Sequence, residues 1–479
     1  MSQILDTRRA GALMHVSSLP SGDLGPDAYR YLDFLKSIDF SIWQTLPLNM
    51  THDDGSPYQC LSAHAGNPNF ISLTQIVQDG WLSQKDLLET NLTRNDLFKK
   101  AFNNFRKKKS SFREFEAFCE KTKWLDDFSM FLVIRGIFKQ TSWNEWPEAY
   151  KNRDIETLNV IRNVHESELS NIKFTQFLFF KQWHDIKSYA NGKNIYLFGD
   201  IPIFVAYDSA DVWAQPEIFK LDANKEMTVV AGVPPDYFSE TGQRWGNPHY
   251  NWEAMESDGF AWWLDRMETQ HALFDLVRID HFRGLEAAWE IPSSESTAIN
   301  GEWVLAPGEA LLTAISNRFP DIALVAEDLG IITDEVNALR EKFLLPGMKI
   351  LQFAFDGSED NPYLPERITK NSVVYTGTHD NDTTLGWYEG LSTEQRKPLH
   401  DYLKSDQPDM PFELVELALS TTANLVVIPM QDLLELDSDC RMNVPGTISG
   451  NWKWRFDWEQ MSNISWQRIK DSVVQSERN

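Results

Sequence analysis

The chain has 479 residues, of which 42% are hydrophobic and 24% are charged. At roughly 150 residues per domain, this length fits about three domains or one elaborated large fold, and the apolar content excludes wholesale disorder. The 45 basic and 70 acidic residues give a formal net charge of −25. Such a charge repels phosphate backbones and anionic lipids, so we expect neither nucleic acid nor a membrane as a partner.

Three cysteines lie far apart along the chain, at Cys60, Cys119 and Cys440, and none belongs to a CxxC pair. This spacing argues against a disulfide framework and against a zinc site, and it favours a reducing cytoplasm. The N-terminus carries charge at Asp6, Arg8 and Arg9, where a secretory signal needs an apolar stretch, and no later apolar run approaches the roughly 18 residues of a membrane span. We therefore expect a cytoplasmic protein.

Eight short apolar runs, rich in β-branched or aromatic residues, end in polar, acidic or turn-forming residues. Their nearly continuous hydrophobicity predicts strands that are covered on both faces, joined by helical crossovers. Eight such units indicate an α/β fold of the (β/α)8 barrel type, the TIM barrel. The runs are residues 11–20, 41–50, 194–205, 273–282, 322–330, 347–357, 372–382 and 424–434.

Two long segments interrupt this pattern in the first half of the chain. Residues 58–185 contain phenylalanines at helical spacing and predict a mostly helical insertion outside the barrel wall. Residues 208–260 are dense in Gly, Pro, Asn and aromatic residues and predict a loop-rich insertion over the active-site cleft. The barrel itself is assigned to residues 1–57, 186–207 and 261–479.

Four of the predicted strands end in carboxylates. The C-terminal ends of barrel strands converge on one mouth, so these side chains are expected to meet there. Cleavage of a glycosidic bond needs one proton-donating carboxylic acid and one ionised carboxylate, and this set supplies both. Taken singly, each residue is explained equally well by a salt bridge or a helix N-cap. The strand ends contain Asp200, then Arg278 with Asp280 and His281, then Glu327 with Asp328, and finally His379 with Asp380.

Other chemistries lack sequence support. No GxxxxGK[ST], GxGxxG or HExxH motif occurs, and the Asp-rich stretches at 53–54 and 380–382 do not continue into a calcium-binding loop. We expect no cofactor and no metal.

Several motifs resemble those of the 4-α-glucanotransferase family, also called amylomaltase or disproportionating enzyme (glycoside hydrolase family 77). The motifs RIDHFRG (278–284), AEDLG (326–330) and GTHDNDT (377–383) include the strand-end carboxylates. Further matches run in the expected order almost to the end of the chain: GSPYQ (55–59), AGNP (65–68), GDIPIFVAYDSADVW (199–213), AGVPPDYFSETGQRWGNP (231–248), PGMKILQFAFDG (346–357) and NVPGTISGNWKWR (443–455).

The resemblance implies that Asp280 is the nucleophile, Glu327 the general acid and base, and Asp380 a stabiliser that binds sugar hydroxyls. It implies a retaining double displacement that moves a segment of an α-1,4-glucan to the 4-hydroxyl of glucose or another glucan. Arg278 lies two residues before Asp280, so on a strand both side chains point the same way, and its charge favours ionised Asp280. The resemblance further implies that the sugars are surrounded by Tyr58, Asp200, Gln243, Trp245, Arg278, His281, Asp328 and His379.

Two alternatives to a transferase remain open at this point. A hydrolase of α-glucans would use the same carboxylates, because transfer and hydrolysis differ only in what resolves the covalent intermediate. A non-catalytic glucan-binding protein would also retain the barrel. Three features depart from the family pattern and concern the acceptor side: a short 17–26 segment, His64 and His249.

Overall fold

Eight parallel strands form the centre of the computed structural model, which describes residues 4–235, 239–447 and 449–478. Each of these eight strands overlaps one of the predicted apolar runs. In chain order the strands of the described residues are β1 (Arg9–Leu13), β2 (Ile42–Gln44), β3 (Tyr196–Pro202), β4 (Val229–Val233), β5 (Gln243–Pro248), β6 (Leu276–Asp280), β7 (Ala287–Pro292), β8 (Glu302–Leu305), β9 (Ala323–Ala326), β10 (Gly347–Ile350), β11 (Ser372–Tyr375) and β12 (Leu425–Pro429).

The parallel sheet closes on itself. Its spatial order is β10-β11-β12-β1-β2-β3-β6-β9, and the two ends meet where the backbone N–H of Ala326 donates to the carbonyl of Pro346 at 2.9 Å. One hydrophobic cluster draws side chains from all eight strands and fills the interior, while a larger cluster packs between the strands and the surrounding helices. The predicted (β/α)8 barrel is confirmed.

The helices that surround the barrel follow the strands with one exception. Between β10 and β11, residues 351–371 form only short 3₁₀ turns, because Pro362 and Pro365 interrupt the segment. The helical crossover predicted there is wrong. The helices are α1 (Pro26–Ser37), α2 (Leu73–Gln78), α3 (Gln84–Leu88), α4 (Arg94–Phe105), α5 (Lys109–Lys121), α6 (Leu125–Ile137), α7 (Glu148–Lys151), α8 (Ile155–Val164), α9 (Glu166–Gly192), α10 (Ala210–Ala214), α11 (Trp252–Ser257), α12 (Ala261–Leu273), α13 (Gly308–Arg318), α14 (Asp334–Lys342), α15 (Thr384–Gly390), α16 (Thr393–Leu403), α17 (Phe412–Ser420), α18 (Met430–Leu433) and α19 (Trp466–Gln475).

The segment between β2 and α9 contains helices α2 to α8 and no strand of the barrel. Its phenylalanines pack on α9, where the rings of Phe105 and Phe174 are 4.8 Å apart. Helix α9 runs unbroken across the predicted boundary at residue 185 and also packs on β3 and α1. It therefore supports the inserted helices on one side and forms the barrel crossover on the other.

A second, antiparallel sheet covers part of the barrel mouth, in the order β5-β4-β7-β8. The sequence predicted loops for residues 208–260, but β4 and β5 lie there and pair with each other. β4 also pairs with β7, and β7 pairs with β8; both of these strands follow β6 in the chain. The pairing of β4 with β7 shows no local signal because the two strands are distant in sequence, and the β4–β5 register is irregular between Val230 and Gly232. Residues 236–238 lie outside the described residues. In the part of the chain that the structure describes, no helix combines the length and apolarity needed to cross a bilayer.

Candidate active site

The two-residue period of the barrel strands decides which strand-end residues face inward. Leu276 and Val325 belong to the interior cluster, so the side chains two and four positions further along point the same way. This rule turns Arg278, Asp280 and Glu327 toward the barrel axis. It turns Asp328 outward, between the strand and its helix.

A cleft of about 1050 Å³ opens at the C-terminal ends of the barrel strands. Ile279 of β6 lies opposite Ala326 of β9, so Asp280 and Glu327 leave neighbouring strands at the same level. Asp380, on the loop after β11, also lines this cleft. The other lining residues are Ser56, Tyr58, Gln59, Pro202, Ile203, Phe204, Gln243, Trp245, Asn247, His281, Asn443, Pro445, Gly446 and Trp452.

A buried arginine joins two carboxylates beneath the cleft. Nη1 of Arg278 lies 2.5 Å from Oδ2 of Asp200, and Nη2 lies 2.8 Å from Oδ1 of Asp280. The hydroxyl of Tyr58 donates to the same Oδ2 of Asp200 at 2.7 Å. The Asp200 side chain is 0% exposed and that of Asp280 is 29% exposed. Asp200 is therefore a buried anchor for Arg278, and Asp280 is the member of the trio that a substrate can touch.

Asp280 is held between opposing electrostatic effects. Withdrawal from bulk water raises its pKa, the Arg278 guanidinium lowers it, and the nearby carboxylates of Asp200, Glu327 and Asp380 raise it again, with a net upward direction. Without Arg278 the charged form would have no adjacent cation to stabilise it. The bridge therefore favours the ionised form of this carboxyl.

Glu327 has a different environment. Its Oε2 accepts a hydrogen bond from the backbone N–H of His281 at 2.6 Å, and its Oε1 accepts one from Leu329 at 2.9 Å. His281 has φ 52°, in the left-handed region, at the point where the chain turns away from β6. Burial raises the pKa of Glu327, although Arg278 and the two N–H donors oppose the shift. Burial raises the pKa of both carboxyls, while the direct contact with the Arg278 guanidinium favours the ionised form of Asp280.

The loop that bears Asp380 is anchored by a buried carboxylate. Asp432, after β12, accepts hydrogen bonds from the hydroxyl of Thr376 at 2.5 Å and from the hydroxyl and backbone N–H of Thr384 at 2.6 and 2.7 Å. These contacts fix both ends of the loop. The neighbouring His379 is buried, and this burial lowers its pKa, so the imidazole is neutral.

Aromatic side chains line two sides of the cleft. The hydroxyl of Tyr58 contacts His379 Nε2 at 2.9 Å, and Trp452 is 6.0 Å from both rings. On the other side, Trp245 donates from Nε1 to Oε1 of Gln243 at 3.2 Å, and its ring meets His281 edge-on at 4.8 Å. Both walls present ring faces and polar atoms that suit the C–H faces and hydroxyls of sugars.

The structure brings most of the predicted site residues together, but some of them line the cleft and others are buried behind its wall. Asp280, Glu327, Asp380, Tyr58, Gln243, Trp245 and His281 line the cleft. Asp200, Arg278 and His379 lie buried behind its wall. Asp328 is not brought into the cleft: its Oδ1 accepts from the backbone N–H of Met348 at 2.7 Å, and its Oδ2 lies 3.3 Å from Nε of Arg340. Three further cleft residues were not predicted as site residues, although all three lie within motifs that resemble the family: Asn247, Asn443 and Trp452.

The histidines that depart from the family pattern lie outside the cleft. Buried His64 contacts the Thr269 hydroxyl at 2.9 Å, and buried His249 contacts the Trp289 carbonyl at 3.2 Å. Among the described residues, no group of three or more His, Cys, Asp or Glu side chains is arranged to hold a metal ion.

Comparison with known proteins agrees with this geometry. The sequence profile of the 4-α-glucanotransferase family matches residues 12–461. The chain belongs to this family. A 4-α-glucanotransferase from a Synechocystis species is 44% identical over 484 residues, which cover 96% of each chain. The corresponding enzyme of Thermus thermophilus is 44% identical over 496 residues, covering 98% of this chain and 99% of that one.

A solved structure of the same family has the same fold. Amylomaltase from Streptococcus agalactiae, in complex with acarbose, superimposes with a TM-score of 0.94 at 36% identity, covering 98% of this chain and 100% of that chain. The family assignment predicted from the strand-end motifs is confirmed, and the fold that this 4-α-glucanotransferase family member shares with that structure covers nearly the whole chain.

Proposed function

We propose that this chain cleaves an α-1,4 bond of a maltodextrin, holds the released segment on Asp280, and transfers it to the 4-hydroxyl of glucose or another glucan. The observation that supports this most directly is the unequal environment of two neighbouring carboxyls. Asp280 contacts the Arg278 guanidinium at 2.8 Å, whereas the two carboxyl oxygens of Glu327 accept hydrogen bonds from backbone N–H groups. One carboxyl is thus suited to be an anion and the other to hold a proton.

In the first step, an oxygen of Asp280 attacks the anomeric carbon as the glycosidic bond breaks, and Glu327 gives its proton to the departing oxygen. The glucan segment is then held as an ester. In the second step, Glu327 takes the proton of the acceptor 4-hydroxyl while that oxygen attacks the anomeric carbon and releases Asp280. Two inversions restore the α configuration. A retaining mechanism requires the two carboxyl groups to lie about 5–5.5 Å apart in the complex.

Asp380 has the third role, binding hydroxyls of the sugar at the cleavage point. The oxocarbenium-like transition state gains positive charge, and a carboxylate close by stabilises it. Tyr58 and Trp452 supply an aromatic wall on that side of the cleft.

Transfer exceeds hydrolysis if the acceptor sugar competes effectively with water for the ester. Trp245 and Gln243 line the cleft beside His281 and form a polar and aromatic surface for an incoming sugar. Binding an acceptor there raises its effective concentration at the ester. We also propose a cytoplasmic location, where the free thiols of Cys60, Cys119 and Cys440 stay reduced.

Incubation with maltotriose tests the proposal. We expect glucose together with oligosaccharides longer than maltotriose. Glucose and maltose alone would instead identify a hydrolase, and binding without products would identify a non-catalytic glucan-binding protein.

The Asp280→Asn variant is the matched control for the covalent step. The amide preserves shape but cannot form the ester, so turnover should vanish while maltotriose binding persists. Initial products of the β configuration, observed by NMR, would contradict the nucleophilic role of Asp280.

A further inference from the structure

The carboxylate of Asp380 is held by a segment that comes about sixty residues later in the chain. Its side chain is 47% exposed and stands on a loop, so its own backbone leaves it several rotamers. The amide Nδ2 of Asn443 donates to Oδ1 of Asp380 at 2.6 Å. Asn443 also lines the cleft. One oxygen of Asp380 is thus fixed from outside its own loop.

Asn443 is itself rigidly placed. Its backbone N–H donates to the carbonyl of His379 at 3.1 Å. Its carbonyl accepts from Nε of Arg441 at 2.8 Å, and Nη2 of Arg441 donates to the carbonyl of Asp380 at 2.6 Å. With the amide contact, three hydrogen bonds join residues 441–443 to residues 379–380, and the fourth, from Arg441 to the Asn443 carbonyl, holds the 441–443 segment itself. Such a set aligns the amide with the carboxylate before substrate arrives.

We propose that Asn443 is a positioning residue of this enzyme: its amide fixes Oδ1 of Asp380 and so presents Oδ2 to the hydroxyls of the sugar at the cleavage point. The inference rests on the role proposed above for Asp380. An amide suits this task because it donates a hydrogen bond without bringing a positive charge, so the carboxylate keeps its full charge for the transition state. An arginine or lysine at the same position would partly neutralise it.

The pair can be tested by changing the donor into an ionisable group. In Asn443→Asp the two carboxyls lie at hydrogen-bond distance and share one proton, because like charges so close do not both ionise freely. While that proton is present, the introduced carboxyl still donates to Asp380, and 2.6 Å is an ordinary distance for such a bond. The groups that face this pair are His379 on the same loop, Arg441, Asp280 and Tyr58.

We therefore expect the ratio of kcat for Asn443→Asp to kcat for wild type to be near one at acidic pH and to fall as pH rises and the shared proton is lost. In Asn443→Ala the donor is absent at every pH. We expect kcat with maltotriose to fall roughly 10-fold to 100-fold, the usual effect of losing a hydrogen bond to a charged group, with a smaller change in KM.

Asn191→Asp is the matched control. Nδ2 of Asn191 donates to Oδ2 of Asp275 at 3.0 Å, just before β6 begins and so at the opposite end of the barrel from the cleft. The same substitution there should leave the kcat ratio to wild type independent of pH. Thermal unfolding of each variant separates loss of fold from loss of positioning.

A pH-independent kcat ratio for Asn443→Asp, or wild-type kcat in Asn443→Ala, would overturn the inference. If Asn443→Ala does not fold, the pH dependence of Asn443→Asp still decides. If the wild type hydrolyses maltotriose instead of transferring glucan, the proposed function fails but the ratios remain measurable, because hydrolysis uses the same carboxylates.

Discussion

Replacing Arg278 by Met should separate the two functions of the buried bridge, stability and catalysis. The guanidinium contacts Asp200, which is 0% exposed, and Asp280, which is 29% exposed. After the substitution Asp280 regains water, whereas Asp200 does not, and Oδ1 of Asp200 already has no hydrogen-bond partner. The free energy of unfolding should therefore fall by about 3–5 kcal/mol, the usual effect of stranding a buried charge. That is a large share of the roughly 5–15 kcal/mol that stabilises most proteins.

The catalytic effect of Arg278→Met has a different origin and a definite sign. The guanidinium lowers the pKa of Asp280 against burial and three carboxylates that raise it. Its removal therefore raises that pKa further. A hydrogen-bonded charge is worth about 1.5–3 kcal/mol, or roughly one to two pKa units. The nucleophile works ionised, so activity at neutral pH should fall roughly 10-fold to 100-fold, and the ascending limb of the pH profile should move to higher pH.

The double variant Asp200→Asn with Arg278→Met provides the control. It removes the stranded charge, and the Asn side chain can still accept from Tyr58, so most of the lost stability should return while the shift in the pH profile remains. Urea unfolding measures the first effect and the pH dependence of kcat/KM with maltotriose measures the second. An ascending limb at the wild-type pH in Arg278→Met, or a double variant as unstable as the single one, would refute the reasoning.

Three further changes test other parts of the structure. Trp245→Ala should shift the products of maltotriose toward hydrolysis, and an unchanged ratio of transferred to hydrolysed glucan at matched donor concentration would assign Trp245 to packing alone. Glu327→Gln should lower turnover of maltotriose about 10²–10⁴-fold. Turnover of α-maltosyl fluoride should fall much less, because its fluoride leaves without a proton. Equal losses with both donors would contradict the role of Glu327 as the acid. Arg478→Met should lower the free energy of unfolding by about 2–4 kcal/mol and leave kcat unchanged. The buried guanidinium of Arg478 donates hydrogen bonds to the carbonyls of Leu419 and Thr421, far from the cleft. Urea unfolding and a kcat measurement check the two effects.

Much of the fold follows from local sequence pattern. A barrel strand covered on both faces is a nearly continuous apolar run, and all eight runs form strands because that pattern depends only on exposure along the strand itself. The antiparallel sheet escaped prediction because β4 pairs with β7 some sixty residues later. No property of residues 229–233 alone reveals that partner.

The three carboxylates of the site could also be predicted from the sequence, because Asp280, Glu327 and Asp380 follow barrel strands that all point to one mouth. The two-residue period of a strand turns Arg278 and Asp280 inward. Because Glu327 faces the cleft, the same period turns the adjacent Asp328 outward, and this position could have been predicted from the strand pattern. Which residues line the cleft and which are buried behind it was decided only by tertiary packing. So were the raised pKa values of Asp280 and Glu327 and the contact of Asn443 with Asp380, because desolvation and hydrogen bonding depend on neighbours that are brought together from distant parts of the chain.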